Sequence, residues 1–371
     1  MVTEKKNVAM IFGASGISGW ALMRECLSYP SVTAFSRVIG LSKRPISRKR
    51  ARLQDDPRLE IHTGLDLTDA DLTLQRLETI PDVDSVTHMY FLAYTSHDSH
   101  PEDQVKTNAA IVDNALAAVK SLCPKLKFVS LQTGGKGYGT VGYGWPPAPW
   151  KEDLARLPEP YASKIFYYAQ YDVVARHATD SSWKWTEVRP SFLSLGLYLS
   201  FYRSAYGCGA ACPFPGTQES WRALHTDSFQ DLVARFHIHA SLHPDKTHER
   251  SSYVRDGNSF SWEMKWRLVC QYFGLDGVGP QDQPASQAIG IDWLIAQRDG
   301  WPDWVLANGL EQGALENVNW DILAATLTWP MRIDYDLTAS RDIGFTETLE
   351  PGRGYILAFD RLVEANFLPS Y

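Results

Sequence analysis

The chain has 371 residues, 44% of them hydrophobic and 21% charged, a composition of globular rather than disordered proteins. A formal net charge of −7 and a pI near 5.8 argue against a nucleic-acid binder, and no apolar run reaches the roughly 18 residues that span a bilayer. Five scattered cysteines without a CxxC pair argue against a disulfide framework or a zinc site. The length fits one large domain, or one domain with a substantial lobe added. A strand-like run begins within a few residues of Met1 and leaves no room for a signal peptide, so a soluble protein of the cytoplasm is expected.

Asn7–Phe12 is a short apolar strand ending at Gly13-Ala-Ser-Gly16-Ile-Ser-Gly19, and Trp20–Leu27 follows with helical spacing. Arg37–Ser42 reads as a second buried strand, and Leu59–Thr63, close to Asp66, as a third. Val86–Ala93 is a fourth strand, Val105–Val119 a helix, and Lys127–Gln132 a fifth strand. Strands alternating with helices at this rhythm predict right-handed crossovers and a parallel sheet. Gly134–Pro149 is too rich in Gly and Pro for an element and reads as a loop at the carboxyl edge of the sheet. Tyr161–His177 reads as a helix and Trp185–Val188 as a sixth strand, closed by Arg189-Pro190. From about residue 195 the alternation breaks down into helices, loops and one or two short strands such as Ser252–Val254.

The expected architecture is therefore α/β: a Rossmann-type, doubly wound parallel sheet with a smaller, mostly helical substrate-binding lobe. The division falls at residues 1–194 for the nucleotide-binding domain and 195–371 for the lobe, with return of later segments to the sheet left open. In open α/β sheets ligands sit at the carboxyl ends of the strands. Several late tryptophans (Trp301, Trp304, Trp320, Trp329) read as core packing, with some left to line a pocket for a bulky apolar substrate.

The glycine cluster between the first strand and first helix is GxxGxxG. Gly13 permits a tight turn, Gly16 lets the backbone approach a pyrophosphate, and Gly19 lets helix and strand pack closely. The helix N-terminus then offers free N–H groups and partial positive charge to phosphates. The second strand ends in Ser42-Lys43-Arg44, with Arg48, Lys49 and Arg50 beyond, where an NAD enzyme usually places Asp or Glu. A carboxylate there repels a 2′-phosphate, whereas Lys and Arg attract it, so the cofactor read from the sequence is NADP(H). Asp66-Leu67 is placed to meet the adenine.

Short-chain dehydrogenases usually carry Tyr-x-x-x-Lys on a helix beside the nicotinamide. Tyr161-Ala-Ser-Lys164 is one residue short of that spacing and sits at a proline-flanked helix start. Tyr168 is the better candidate, with Asp172 where the usual enzymes have Lys. A lysine is available at Lys136, in Thr133-Gly-Gly-Lys136-Gly-Tyr138-Gly just past the fifth strand. A tyrosine hydroxyl and an ammonium converging there would stabilise an oxyanion.

These residues give the chain a resemblance to the progesterone 5β-reductase and iridoid synthase-like family, an atypical branch of the short-chain dehydrogenases. The resemblance rests on Gly13–Gly19; on Gly40-Leu-Ser-Lys-Arg-Pro45; on Leu131-Gln-Thr-Gly-Gly-Lys136; on Phe166-Tyr-Tyr168 with Asp172; and on Phe214-Pro-Gly216 with Trp221. It implies hydride transfer from NADPH to the β-carbon of an α,β-unsaturated carbonyl, with Tyr168 and Lys136 as the catalytic pair. It also implies NADP contacts at Ser15, Gly16, Ile17, Lys43, Arg44, Asp66, Leu67, Ala93, Tyr94, Gln132 and Leu193, with Tyr168 beside the nicotinamide, and a homodimer. Two departures set this chain apart: Gly137 stands where the family usually has His, and Arg189–Gly216 is shorter than in the plant enzymes. The resemblance therefore implies an apolar enone or enal without naming one. Carbonyl reduction, cyclisation on the same scaffold, and a non-enzymatic NADP(H) sensor are the rival readings.

Overall fold

Seven parallel strands form the central sheet, in the order β3-β2-β1-β4-β5-β6-β8. They are β1 (Asn7–Phe12), β2 (Phe35–Ser42), β3 (Leu59–Thr63), β4 (His88–Phe91), β5 (Phe128–Gln132), β6 (Lys184–Arg189) and β8 (Arg250–Tyr253). A separate two-stranded parallel pair joins β7 (Ala211–Pro213) to β9 (Asp276–Val278). This computed structural model describes residues 6–95, 100–139, 144, 146–190, 195–281, 290–312, 314–315 and 318–371.

Burial on both faces explains why the central strand β1 reads as a near-continuous apolar run. In β1, Ala9 and Ile11 pack on one face with Ala21, Leu22, Ala234 and Ile238. Val8, Met10 and Phe12 pack on the other with Val112, Leu116 and Val174. Helices α1 (Ile17–Glu25) and α7 (Gln230–Leu242) cover the first face. Helices α2 (Ala70–Glu78), α3 (Pro101–Leu122) and α4 (Phe166–Ala178) cover the second. The sequence left residues 70–78 unassigned; Asp69 starts α2 by accepting the Leu72 N–H at 2.9 Å.

Between β6 and β8 the chain makes α5 (Gly196–Tyr206), β7, α6 (Gln218–Arg222), α7 and α8 (Pro244–Thr247); α9 (Trp262–Tyr272) follows β8. A second core gathers Tyr198, Trp262, Trp266, Trp301, Trp304, Trp320 and Phe359. Three of the late tryptophans thus pack in that core. Among the described residues no helix is long and apolar enough to cross a membrane.

One boundary differs from expectation. The helix read from Tyr161 to His177 is broken: a 3₁₀ turn spans Ala162–Lys164, and Ile165 is extended before α4 begins. Tyr161 and Lys164 therefore do not share an α-helical face.

Candidate active site at the carboxyl edge of the sheet

The strand order reverses between β1 and β4, and ligands of open α/β sheets bind at such a switch point. Gly13 sits there with φ +91°, a conformation side chains disfavour, and a Cβ would lie 2.9 Å from Ala93 N. A Cβ at Gly19 would collide with the Gly13 carbonyl oxygen. Gly16 caps α1 without a side chain, and no acidic residue occupies the first turn. The sequence Gly13-Ala-Ser15-Gly16-Ile17 thus presents backbone N–H groups and the helix dipole to the edge, a cradle that fits a pyrophosphate.

The basic run divides into engaged and available groups. Lys43 Nζ pairs with Asp66 Oδ2 at 2.6 Å across the ends of β2 and β3. That pair, with the Thr68 hydroxyl on Asp66 Oδ1 at 2.8 Å, holds the Asp66 carboxyl below its ordinary value. Ser42 is buried and donates to the Arg44 carbonyl at 2.5 Å, which shapes the end of β2. Arg48 donates to the Leu59 carbonyl, Arg50 pairs with Glu311 at 3.2 Å and Arg52 with Glu364 at 3.2 Å. Arg44 is exposed, lines the main cleft and makes no ion pair among the described residues. Leu67 is half-buried, and its carbonyl accepts from Asn114 Nδ2 at 2.8 Å. Tyr94 is 64% exposed and stacks on Phe166 with ring centroids 6.1 Å apart. Gln132 Oε1 lies 3.2 Å from His237 Nε2, and His237 Nδ1 lies 2.7 Å from Ser130 Oγ. Burial lowers the His237 pKa to about 3, so that ring is a neutral strut under the sheet edge. Leu193 lies outside the described residues.

Lys136 and Tyr168 meet at one turn. Lys136 is exposed on the 3₁₀ turn Gly135–Tyr138 that follows β5. Tyr168, in the first turn of α4, donates its hydroxyl to the carbonyl of Gly137 and accepts the Leu157 N–H at 3.1 Å. Asp172 lies away from that hydroxyl, paired at the surface with Arg156 at 2.6 Å. The Arg156 guanidinium stacks 4.9 Å over the Tyr168 ring, a cation that the Tyr-x-x-x-Asp pattern gave no reason to expect.

A cleft of about 1480 Å³ runs between the sheet edge and the lobe. Ala14–Ile17 and Arg44 line one side; Leu195, Trp262, Trp329, Tyr335 and Tyr355 line the other. Asp227, Asp256, Asp360 and Glu364 are carboxylates of its lining. Lys136 and Tyr168 stand outside this lining, and Tyr335 connects the two places: a Cβ at Gly135 would meet its hydroxyl at 2.5 Å. Tyr335 packs with Tyr138, Trp150 and Tyr253, and the Arg255 guanidinium lies 3.8 Å over its ring. Sequence reasoning missed these residues; Tyr335 is about 200 positions from the turn and carries no motif. Glu187 was also missed, although a lone acid on the buried strand Lys184–Arg189 is a visible signal.

The glycine cradle at the switch point fits a dinucleotide, and the relatives make this chain an NAD(P)-dependent oxidoreductase of the short-chain dehydrogenase superfamily, acting on a small molecule. More narrowly, the chain belongs to the family of the PRISE-like Rossmann-fold domain, whose model matches residues 9–369. The short chain dehydrogenase ausT of Aspergillus calidoustus is 32% identical, over 100% of this chain and 96% of that protein. The 3-oxo-Delta(4,5)-steroid 5-beta-reductase of Arabidopsis thaliana is 24% identical, over 98% of this chain and 94% of that protein. In fold, the chain is similar to DesIV, a dTDP-glucose 4,6-dehydratase of Streptomyces venezuelae solved with NAD and TYD bound. That likeness has a TM-score of 0.61 at 14% identity, covering 96% of this chain and 97% of the other.

Proposed function

We propose that this protein is an NADPH-dependent reductase that adds hydride to the β-carbon of an α,β-unsaturated carbonyl in an apolar small molecule. The observation that carries the reading is the docking of the Tyr168 hydroxyl on the Gly137 carbonyl, one residue beyond Lys136. That contact puts a neutral donor and a cation on one short turn at the carboxyl end of β5. The likeness to a steroid 5-beta-reductase supports the same chemistry.

A bound nicotinamide supplies the hydride. The substrate carbonyl oxygen takes the place of the Gly137 carbonyl as acceptor for the Tyr168 hydroxyl. The exposed Lys136 ammonium balances the negative charge that grows on that oxygen. Water returns a proton to the α-carbon, which completes the saturated carbonyl. Tyr168 keeps its own proton, so no lysine is needed at position 172 to depress its pKa. NADPH is preferred over NADH because Arg44 is available for a 2′-phosphate, while Lys43 is engaged by Asp66.

The test is NADPH oxidation with a panel of enones and enals, with the products resolved. The saturated carbonyl is expected, and Lys136→Ala or Tyr168→Phe should each lower kcat roughly 100- to 1,000-fold. An allylic alcohol as product would move the reading to carbonyl reduction. Wild-type kcat in both variants would remove the assigned pair.

A further inference from the structure

The turn that carries Lys136 is fixed by a buried network that no motif announces. Thr133 extends the β5 ladder by donating its N–H to the Val188 carbonyl at 2.9 Å, and its hydroxyl donates to Glu187 Oε1 at 2.5 Å. Glu187 is buried in β6; its Oε2 accepts from Ser251 Oγ at 2.5 Å, on neighbouring β8, and from Arg189 Nη2 at 2.7 Å. The Arg189 guanidinium in turn lies 4.8 Å over the ring of Tyr138, the last residue of the turn. One carboxylate thus grips both ends of Thr133–Tyr138: the start through a hydroxyl, the end through an arginine stacked on a ring.

Glu187 is the carboxylate on which this network converges, and Ser251 Oγ also accepts from Arg189 Nη2 at 3.2 Å. Thr133 and Ser251 hydroxyls and a guanidinium all converge on its two oxygens. Gly134 is held from the opposite side, where a Cβ would lie 3.1 Å from the Tyr167 hydroxyl. A turn with two adjacent glycines has wide conformational freedom by itself, and only such external holds restrict it.

We infer that Glu187 is a positioning residue, which sets the Lys136 ammonium through the Thr133–Tyr138 turn without touching substrate or cofactor. The inference rests on the role given to Lys136 above. An amide at position 187 puts an N–H donor among groups that need acceptors, which releases one end of the turn. Misplacing a charge by about 1 Å is enough to cost roughly 100-fold in rate.

The experiment is a kinetic cycle with an enone that the wild type reduces. Glu187→Gln should lower kcat roughly 10- to 100-fold, with the NADPH Kd, followed by nicotinamide fluorescence, unchanged. In a Lys136→Ala background the same substitution should have no further effect on kcat. Thr133→Val should reproduce the loss and Thr133→Ser should spare activity, which covers a Glu187→Gln protein that fails to fold. Wild-type kcat in Glu187→Gln, or an equal loss with and without Lys136, would overturn the inference while leaving the reductase reading intact. A Lys136→Ala enzyme at wild-type kcat would instead bring down the reading and the inference together. If the wild type reduces no enone, the reading fails, and crystal structures of wild type and Glu187→Gln judge the rest. An unmoved Thr133–Tyr138 turn overturns the positioning role, and a displaced one supports it.

Discussion

Two glycine turns meet at the carboxyl edge of this sheet, and they are held in opposite ways. The Gly13–Gly19 turn is fixed by backbone bonds: Gly13 and Ala14 N–H groups bond the Leu41 carbonyl of β2 at 3.0 Å, and Gly16 N–H bonds the Gly13 carbonyl at 3.0 Å. The Gly134–Tyr138 turn is a short 3₁₀ helix in which Gly137 N–H bonds the Gly134 carbonyl at 3.3 Å. Its shape comes from side chains brought in from Glu187, Arg189 and Tyr335. The glycine cradle is thus set by backbone bonds, whereas the turn that carries Lys136 is shaped by side chains from across the fold.

The largest effect that would break this contrast is expected at Tyr335. Tyr335→Ala removes a buried ring from the Tyr138–Trp150–Tyr253 cluster and should cost roughly 3–5 kcal/mol of stability by denaturant unfolding. Whatever stays folded should bind NADPH normally and turn over slowly. Gly19→Ala is the converse: the new methyl meets the Gly13 carbonyl, with a cost of roughly 1–3 kcal/mol and loss of NADPH binding in a fluorescence titration. If Gly19→Ala binds NADPH as the wild type does, the backbone account of the first turn is wrong. At the rim of the cradle, Arg44→Ala should weaken NADPH roughly 10- to 100-fold and leave NADH unchanged, the loss of a charge-assisted hydrogen bond.

Away from both turns, a buried carboxyl at the start of α7 predicts a pH dependence. Asp256 accepts the Phe229 N–H at 2.5 Å, and burial raises its pKa to about 7. The folded state then binds more protons than the unfolded state between about pH 4, near the unfolded value, and about 7. Stability therefore falls as pH rises through that window. Asp256→Asn should flatten that part of the stability curve; a slope equal to wild type would count against it. Least affected should be Lys43→Ala, since an exposed pair such as Lys43–Asp66 contributes about 0–1 kcal/mol and its ammonium is turned away from phosphate duty. A loss of NADPH affinity equal to that of Arg44→Ala would show that Lys43 swings free of Asp66.

This contrast also sorts what was legible in the sequence. Strand Asn7–Phe12 was readable to the residue because burial on both faces leaves a plain apolar run, and Leu59–Thr63, an edge strand, because Leu59 and Ile61 alternate with polar residues. Gly13, Gly16 and Gly19 were readable because their spacing meets a local steric demand. Lys136 and Tyr168 were approached through motifs, and the Tyr168 hydroxyl reaches the turn of Lys136 because α4 packs beside β6. The broken helix at Ile165 was not readable, since Tyr161–His177 keeps a helical pattern across the break. Nor were Tyr335 and Arg255, whose places depend on pairings such as Arg255–Tyr335 and Tyr138–Tyr335, 80 and 197 residues apart. No local periodicity encodes such distances.

Strand β8 has a practical consequence. It returns to the sheet after an excursion that includes α5, α6 and α7, and it supplies Ser251 to the Glu187 network. A fragment cut at residue 194 would strip β6 of its neighbour, bare a row of unpaired backbone groups and invite aggregation. Grafting the lobe of a relative onto this sheet calls for junctions near Pro190 and beyond Tyr253, so that β8 travels with the incoming piece. The lobe in this fold is then exchanged together with one edge of the sheet, not as a detachable cap.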